Sequence, residues 1–184
     1  HMECSAMALK YLGDSIDIHG GGQDLVFPYH ENEIAQSESF TEVVPFARYW
    51  LHNGLMQQDE QKMSKSTGNL VSVGDMLNRF SSDAIRLFIL SSHYRSPLSY
   101  SEEALDASER GVERLRWALN QKGNGDEGIA ILDVKPFEQK FVEAMDDDFN
   151  TAQAIAVLFE LAKEINRGAE KGMNITEAQH TLLK

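Results

Sequence analysis

Lys62 and Lys65 stand three residues apart in the polar run Lys62-Met63-Ser64-Lys65-Ser66, which continues as Thr67-Gly68-Asn69. Two ammonium groups on a strap of this kind can close over a triphosphate, so that fixed positive charge meets the charge growing on a departing pyrophosphate. Ser64, Ser66 and the amides at the start of a following helix would add hydrogen bonds to phosphate. A generic lysine pair at this spacing is a solvated loop; the complete pentapeptide, set between a strand and a helix, favours the chemical reading. His19-Gly20-Gly21-Gly22 forms a second group, at the end of the alternating run Ser15-Ile16-Asp17-Ile18. Glycines there admit positive φ and let a nucleotide approach the backbone, while the plain alternative is a flexible turn. The chain has no G-x-G-x-x-G string and no Walker motif. Cys4, His30 and Glu33 are the third group: thiolate, imidazole and carboxylate are sound zinc ligands, and His30 and Glu33 share one helical face. Without a C-x-x-C pair, the same residues also read as a buried cysteine beside helix-surface polar groups. Asp146-Asp147-Asp148 point in different directions and read as an acidic helix start or turn. Tyr49, Trp50, Trp117 and most of the phenylalanines are assigned to packing.

The elements that must position these groups follow from spacing. Glu3 to Leu12 is a good helix-forming run that stops at Gly13, then comes a strand over residues 15–18 and a glycine turn. Pro28 opens a second helix running to about Glu38, since proline is tolerated in a first helical turn. Tyr49, Leu51 and Leu55 mark an extended segment between Ala47 and Met56. Helix, strand, helix and strand in that order predict a parallel sheet with crossover helices. After Asn69 the pattern is helical: Met76 to Ile89 in two helices, with Ser82 or Asp83 capping the second, then a connector over 91–100. Leu105, Val112, Leu115 and Leu119 form the stripe of a helix from Glu102 to Asn120. A loop over 123–128 follows, then a helical region from Pro136 to Asn166 broken near Asp146–Asp148, and a weaker helix from Thr176. The fold class predicted is thus α/β followed by all-α, with a boundary between residues 70 and 100.

Composition limits the functions on offer. The chain has 184 residues, 42% of them hydrophobic, with 17 Lys and Arg against 29 Asp and Glu, a net charge of −12. That describes a folded acidic protein in which a global positive field is not the means of touching nucleic acid. Four basic residues face ten acidic ones over residues 1–66, three face two over 67–100, and ten face seventeen over 101–184. The middle of the chain, just after the two lysines, is where an anion is least repelled. No apolar run approaches the ~20 residues of a membrane span, no leader opens the chain, and the single cysteine makes the cytosol the default compartment.

A resemblance now adds to this reading. The strings His1-Met2-Glu3-Cys4-Ser5, Asp17-Ile18-His19-Gly20-Gly21-Gly22, Asp24-Leu25-Val26-Phe27-Pro28, His30-Glu31-Asn32-Glu33, the lysine-serine pentapeptide, His93-Tyr94-Arg95-Ser96-Pro97-Leu98 and Asp147-Asp148-Phe149-Asn150-Thr151 occur in that order. Together, over residues 1–170, they resemble the second half of the cysteinyl-tRNA synthetases, a family of class I aminoacyl-tRNA synthetases. The resemblance implies the second half of a Rossmann-like catalytic domain over residues 1–70, a stem-contact segment over 71–100, and a helical bundle over 101–184 leading to an anticodon-binding part. It implies ATP-dependent activation of L-cysteine and transfer of cysteine to tRNA(Cys) in the cytoplasm. Lys65 takes the principal ATP-binding position with Lys62 beside it, and His19, Gly20, Gly21 and Gly22 lie near the adenylate. Cys4 and Glu33 take two protein-ligand positions of a zinc that binds the substrate thiolate, which rejects serine because zinc gains far more from sulfur than from a neutral hydroxyl.

Departures from the family pattern are as informative. Tyr29 stands where the family has a zinc-binding histidine, and the H-I-G-H string that binds ATP phosphates does not occur in these residues. A shift of His30 into the ligand position needs a rotation of about 100° about the helix axis. The chain alone is therefore expected neither to bind zinc tightly nor to make adenylate, and to self-associate through apolar surface and an unpaired sheet edge. Two other readings are a related ligase joining cysteine to an amino-sugar, and a non-catalytic interaction module derived from the synthetase. Tyr94-Arg95-Ser96-Pro97-Leu98 and His19 favour the synthetase over the first, and the intact lysine loop argues against the second.

Overall fold

A computed structural model describes residues 2–58, 61–62, 71–123 and 130–183, with the backbone alone for 58, 61 and 62. The chain folds as two compact units, one made of His1–Met56 with Arg95–Pro97, the other of Gln57–Tyr94 with Leu98–Lys184.

In the first unit, helix α1 (Met2–Leu12) ends before Gly13, which takes a φ of 97° that an L side chain rarely adopts. Strand β1 (Ile16–Gly22) then pairs in parallel with β2 (Ala47–Asn53), from Ile16 opposite Ala47 to Gly22 opposite Asn53. A 3-10 turn (Gln23–Leu25), a π-helical turn (Val26–His30) and helix α2 (Glu31–Thr41) make the crossover. The predicted parallel pair and both helices are therefore present, with two adjustments. Gly20, Gly21 and Gly22 are not a turn: they are the end of β1, held extended by the ladder to Leu51, His52 and Asn53. Pro28 lies inside the π-helical turn behind an extended Phe27 (φ −130°, ψ 134°), so the regular helix starts only at Glu31.

α2 stops where Glu42 turns left-handed (φ 58°) and returns its N–H to the Glu38 carbonyl. The Glu38 carboxylate also accepts the Phe46 N–H at 2.9 Å, which ties the end of the helix to the start of β2. Ile16, Phe46 and Ala47 form the buried core here, with Ala8, Ile34 and Trp50 packed on it. Each large side chain buried in this way contributes roughly 1.5–3 kcal/mol.

The second unit opens with a small sheet of β3 (Met56–Gln58), β4 (Gln61–Lys62) and β5 (Leu98–Ser99), in the order β4-β3-β5. β5 interrupts the predicted connector. Helix α3 (Val73–Leu77) starts in a reciprocal cap between Ser72 and Asp75; the hydroxyl hydrogen bond to Asp75 holds that carboxyl below its usual pKa. Helix α4 (Ser82–Leu90) is capped by Ser81, not by Ser82 or Asp83, because Ser81 is the extended residue whose hydroxyl oxygen accepts the Ala84 N–H. Helix α5 (Glu102–Leu119) follows a Ser101 cap, and α6 (Lys135–Asp146) and α7 (Thr151–Glu170) are separated where Asp148 and Phe149 take left-handed backbone. The expected break near Asp146–Asp148 is thus a real corner. Helix α8 (Thr176–Leu183) closes the unit. Ala118, Val134, Leu161, Ala162, Ile165, Ile175 and Ala178 make its core. Residues 124–129, most of the predicted loop, lie outside the described residues.

Two packing assignments need correction. Tyr49 and Trp117 are 67% and 66% exposed, and Phe27, Phe40 and Phe149 are exposed as well. On β2, Tyr49 points to the face opposite Trp50, and alternation along a strand sends only one of two neighbours inward. No described helix is long and apolar enough to cross a membrane.

Candidate functional site

Parallel pairing sets the ends of β1 and β2 side by side, so that His19 is opposite Trp50 and Gly21 is opposite His52. The rings of His19 and Trp50 stack at 4.6 Å between centroids and 21° between planes. The π-helical turn then delivers His30 to the same place: its ring lies 4.6 Å from that of His19 and 5.0 Å from that of His52. One turn further along α2, Glu33 points to the same face, as the three-residue spacing requires. Glu33 and His30 are only 4% and 5% exposed.

A carboxylate buried to that degree is costly unless partnered. Its partner is His19, whose Nε2 lies 2.7 Å from Glu33 Oε2. The second link joins His30 Nδ1 to His52 Nε2 at 2.8 Å, so one of these two rings donates and the other accepts. Burial is the main cause holding His30 below the ordinary histidine pKa, followed by the charge of His19, with Glu33 opposing the shift. His52 is lowered by burial first, then by Arg95 and His19. Neutral rings are the favoured forms of both, suited to donating and accepting hydrogen bonds and to offering a lone pair.

Glycine is required beside this cluster for space. A Cβ on Gly21 would lie 2.8 Å from His30 Cε1 and 3.0 Å from Leu25 Cδ1, and one on Gly22 would lie 2.5 Å from Asp24 Oδ1. Gly21 thus lets the His30 ring close onto β1, a use different from the positive φ expected of these glycines; among the described residues the glycines with positive φ are Gly13 and Gly172.

Of the residues singled out from sequence, the structure gathers His19, His30 and Glu33 beside Gly20, Gly21 and Gly22. The donor atoms of His19, His30 and Glu33 all lie within 4.8 Å of one another, an arrangement a divalent cation can use. Cys4 is on α1, exposed, and outside that group. Tyr29 is half-exposed. Lys65 lies outside the described residues; Lys62 is placed by its backbone, in β4. Sequence reasoning missed His52 and treated Trp50 as packing alone. Their signal is the two-residue spacing that puts both on one face of β2, visible only once β2 is paired in register with β1.

Comparison with known proteins bears on the same stretch. The family model described as tRNA synthetases class I (C) catalytic domain matches residues 1–110, and a DALR domain model matches residues 140–184. The cysteine–tRNA ligase of Dehalococcoides mccartyi is 56% identical over 179 residues, covering 97% of this chain and 39% of that protein. That of Halalkalibacterium halodurans is 53% identical, covering 91% and 37%. The chain therefore spans about two fifths of the length of these curated relatives. Among solved structures, a ternary complex of Agrobacterium radiobacter LeuRS with tRNA and LeuAMS aligns at a TM-score of 0.68 and 16% identity, over 91% of this chain and 24% of that one. Mycobacterium tuberculosis methionyl-tRNA synthetase with methionyl-adenylate aligns at 0.61 and 18% identity, over 83% and 33%. At these identities the two structures support the fold: the later part of a class I synthetase catalytic domain followed by helices.

Proposed function

Since the chain belongs to the class I tRNA synthetases of the cysteine type, we propose that it serves, within a longer protein, the ATP-dependent activation of L-cysteine and its transfer to tRNA(Cys) in the cytoplasm. The observation that carries this is the buried His19, His30 and Glu33 cluster closed onto a glycine-edged strand, inside the stretch matched by the catalytic-domain model. The name cysteine–tRNA ligase borne by the relatives favours this over the amino-sugar ligase and over an interaction module. In this reading residues 1–70 are catalytic-domain, 71–100 contact the acceptor stem, and 101–184 lead toward the anticodon.

In the first step a carboxylate oxygen of cysteine attacks the α-phosphorus of ATP, and the bond to the bridging oxygen breaks to release pyrophosphate. Lys62 and Lys65 neutralise the charge on that leaving group, an interaction worth most in the transition state. In the second step a ribose hydroxyl at the tRNA 3′ end attacks the cysteinyl carbonyl, and AMP departs. His19, its ring fixed by Glu33 and Trp50, presents one edge near the adenylate, and the glycines Gly20 to Gly22 allow close approach of the nucleotide.

A zinc of the family's kind does not fit the residues present. Cys4 is exposed and apart from Glu33's cluster, Glu33 is engaged by His19, and Tyr29 replaces the expected imidazole. The purified chain is expected to retain no tightly bound zinc after dialysis against a weak chelator. One equivalent found by metal analysis would instead show that His19, His30 and Glu33 serve as a ligand set. Exposed Met7, Tyr11, Leu12 and Phe40 on α1 and α2 support self-association of the isolated chain.

Cysteine-dependent exchange of labelled pyrophosphate into ATP tests the function. The isolated chain is expected to show none, and mixing with the parent's preceding segment, which carries the ATP-phosphate signature, is expected to restore it. Exchange by the chain alone overturns the inactivity of the fragment. Failure of the complete enzyme to exchange in the presence of cysteine overturns the activity itself.

A further inference from the structure

Helices α1 and α2 pack on one another in the first unit and border a pocket of about 350 Å³. It lies at the starts of β1 and β2, since Gly13 and Asp14 just before one strand and Phe46 just before the other also line it. Met2, Leu9, Phe40 and Phe46 give it apolar walls, and Ser5 and Ser37 border it as well. Phe46 is 2% exposed, and its ring stands edge-on to that of His19 with 5.8 Å between centroids. Ser37 follows Glu33 by one helical turn, so the pocket backs onto the pair that His19 and Glu33 make.

The two serines are out of keeping with these walls. Ser37 is only 8% exposed, and the hydroxyl oxygens of both are shut off from water without a hydrogen-bond partner among the described residues. Thr41, the third hydroxyl on the pocket, is engaged: it donates to the Ser37 carbonyl at 2.9 Å and accepts the Val43 N–H at 3.2 Å. A serine inside a helix ordinarily returns its hydroxyl to the carbonyl one turn back, and neither Ser5 nor Ser37 does so. A buried hydroxyl left unpaired costs stability that alanine would not, and alanine has the higher helix propensity. Rotation about Cα–Cβ brings either hydroxyl onto the pocket with no bond lost. Polar groups kept against stability beside an apolar space mark a place where function outweighs packing.

We propose that this pocket binds a small uncharged aromatic alcohol, its ring between Met2, Leu9, Phe40 and Phe46 and its hydroxyl paired with Ser5 and Ser37. The volume is at the lower end of the roughly 300–1,000 Å³ usual for small-molecule sites, which suits a single ring. Phe40 and Phe46 favour an aromatic occupant through edge-to-face contact. A hydroxyl both donates and accepts, so one such group can satisfy two serines at once. An anion is disfavoured: among the described residues lining the pocket, Asp14 is charged and none is cationic. A hydrocarbon would leave the serines unpaired. Neither step of the proposed reaction uses this pocket, and the inference holds or fails independently of the synthetase reading.

The test is an NMR titration of the 184-residue chain, its methionine methyls isotopically labelled, with phenol, benzene and benzoate. The Met2 methyl is expected to shift saturably with phenol, while that of Met173, in the second unit, stays in place. Phenol is expected to bind about threefold to tenfold more tightly than benzene, the worth of one hydrogen bond, and benzoate not at all. S5A/S37A is expected to bind phenol no better than benzene while keeping or raising the thermal midpoint, a combination that a merely structural role for the hydroxyls would not give. Equal affinity of the unsubstituted chain for phenol and benzene, or for phenol and benzoate, overturns the proposal, as does the absence of a saturable Met2 shift. A lower thermal midpoint for S5A/S37A, or an unchanged affinity of that variant for phenol, overturns it as well. A Met2 shift set by protein concentration, with phenol without effect, assigns the pocket to a second copy of the chain and likewise overturns it.

Discussion

Replacing Lys65 by alanine in the reassembled enzyme is expected to lower cysteine-dependent pyrophosphate exchange by about 10²–10³-fold, the ~3–4 kcal/mol typical of removing one donor aimed at charge that develops in a transition state. The loss falls on kcat more than on KM for ATP, because the triphosphate carries its charge spread before the bond breaks and concentrated on pyrophosphate afterwards. Lys62→Ala has a smaller effect in the same direction. An exchange rate unchanged in Lys65→Ala would remove the role assigned to the pentapeptide. Arginine at position 65 is expected to restore part of the rate, since the charge returns with a different geometry.

Ile165→Ala has the largest expected effect on stability. Ile165 is fully buried in α7, among Ala118, Leu161, Ala162, Ile175 and Ala178, so three or four elements close on the space its side chain fills. Truncation leaves a cavity that the flanking alanines cannot collapse into, and the expected cost is about 3–5 kcal/mol, at the upper part of the range for such changes. Urea denaturation followed by circular dichroism measures it as a lower midpoint with an unchanged slope. Glu164→Ala, one residue away with a partly exposed side chain, is expected to stay within about 0.5 kcal/mol. Equal effects of the two substitutions would show that the second unit lacks a specifically packed interior.

The helices after residue 70 were legible because their information is local. The cap before the second helix, the Leu105 to Leu119 stripe and the acidic corner before Thr151 all act within a few residues, and the cap lies one position from the expected pair, at Ser81. The parallel pair was legible from the alternation of helix and strand signals. Register was not, because it depends on two segments about thirty residues apart in sequence, and with it went the place of His52 and the second use of Trp50. Gly20 to Gly22 were singled out for freedom of φ, whereas they lie extended in β1 and Gly21 is needed for absent side-chain volume under His30. The aromatic residues divided for a similar reason, since no local pattern tells an indole in a core from one on a surface.

The π-helical turn from Val26 to His30 sets a tolerance on evolution and engineering that differs from that of any single side chain. Each residue advances a helix by about 100°, so deletion or insertion of one codon in this turn would rotate His30 and Glu33 together away from His19 and His52. A substitution at the exposed Tyr29, which leaves the count fixed, is expected to keep that geometry. Apart from His30 itself, that turn constrains its length more than its side chains.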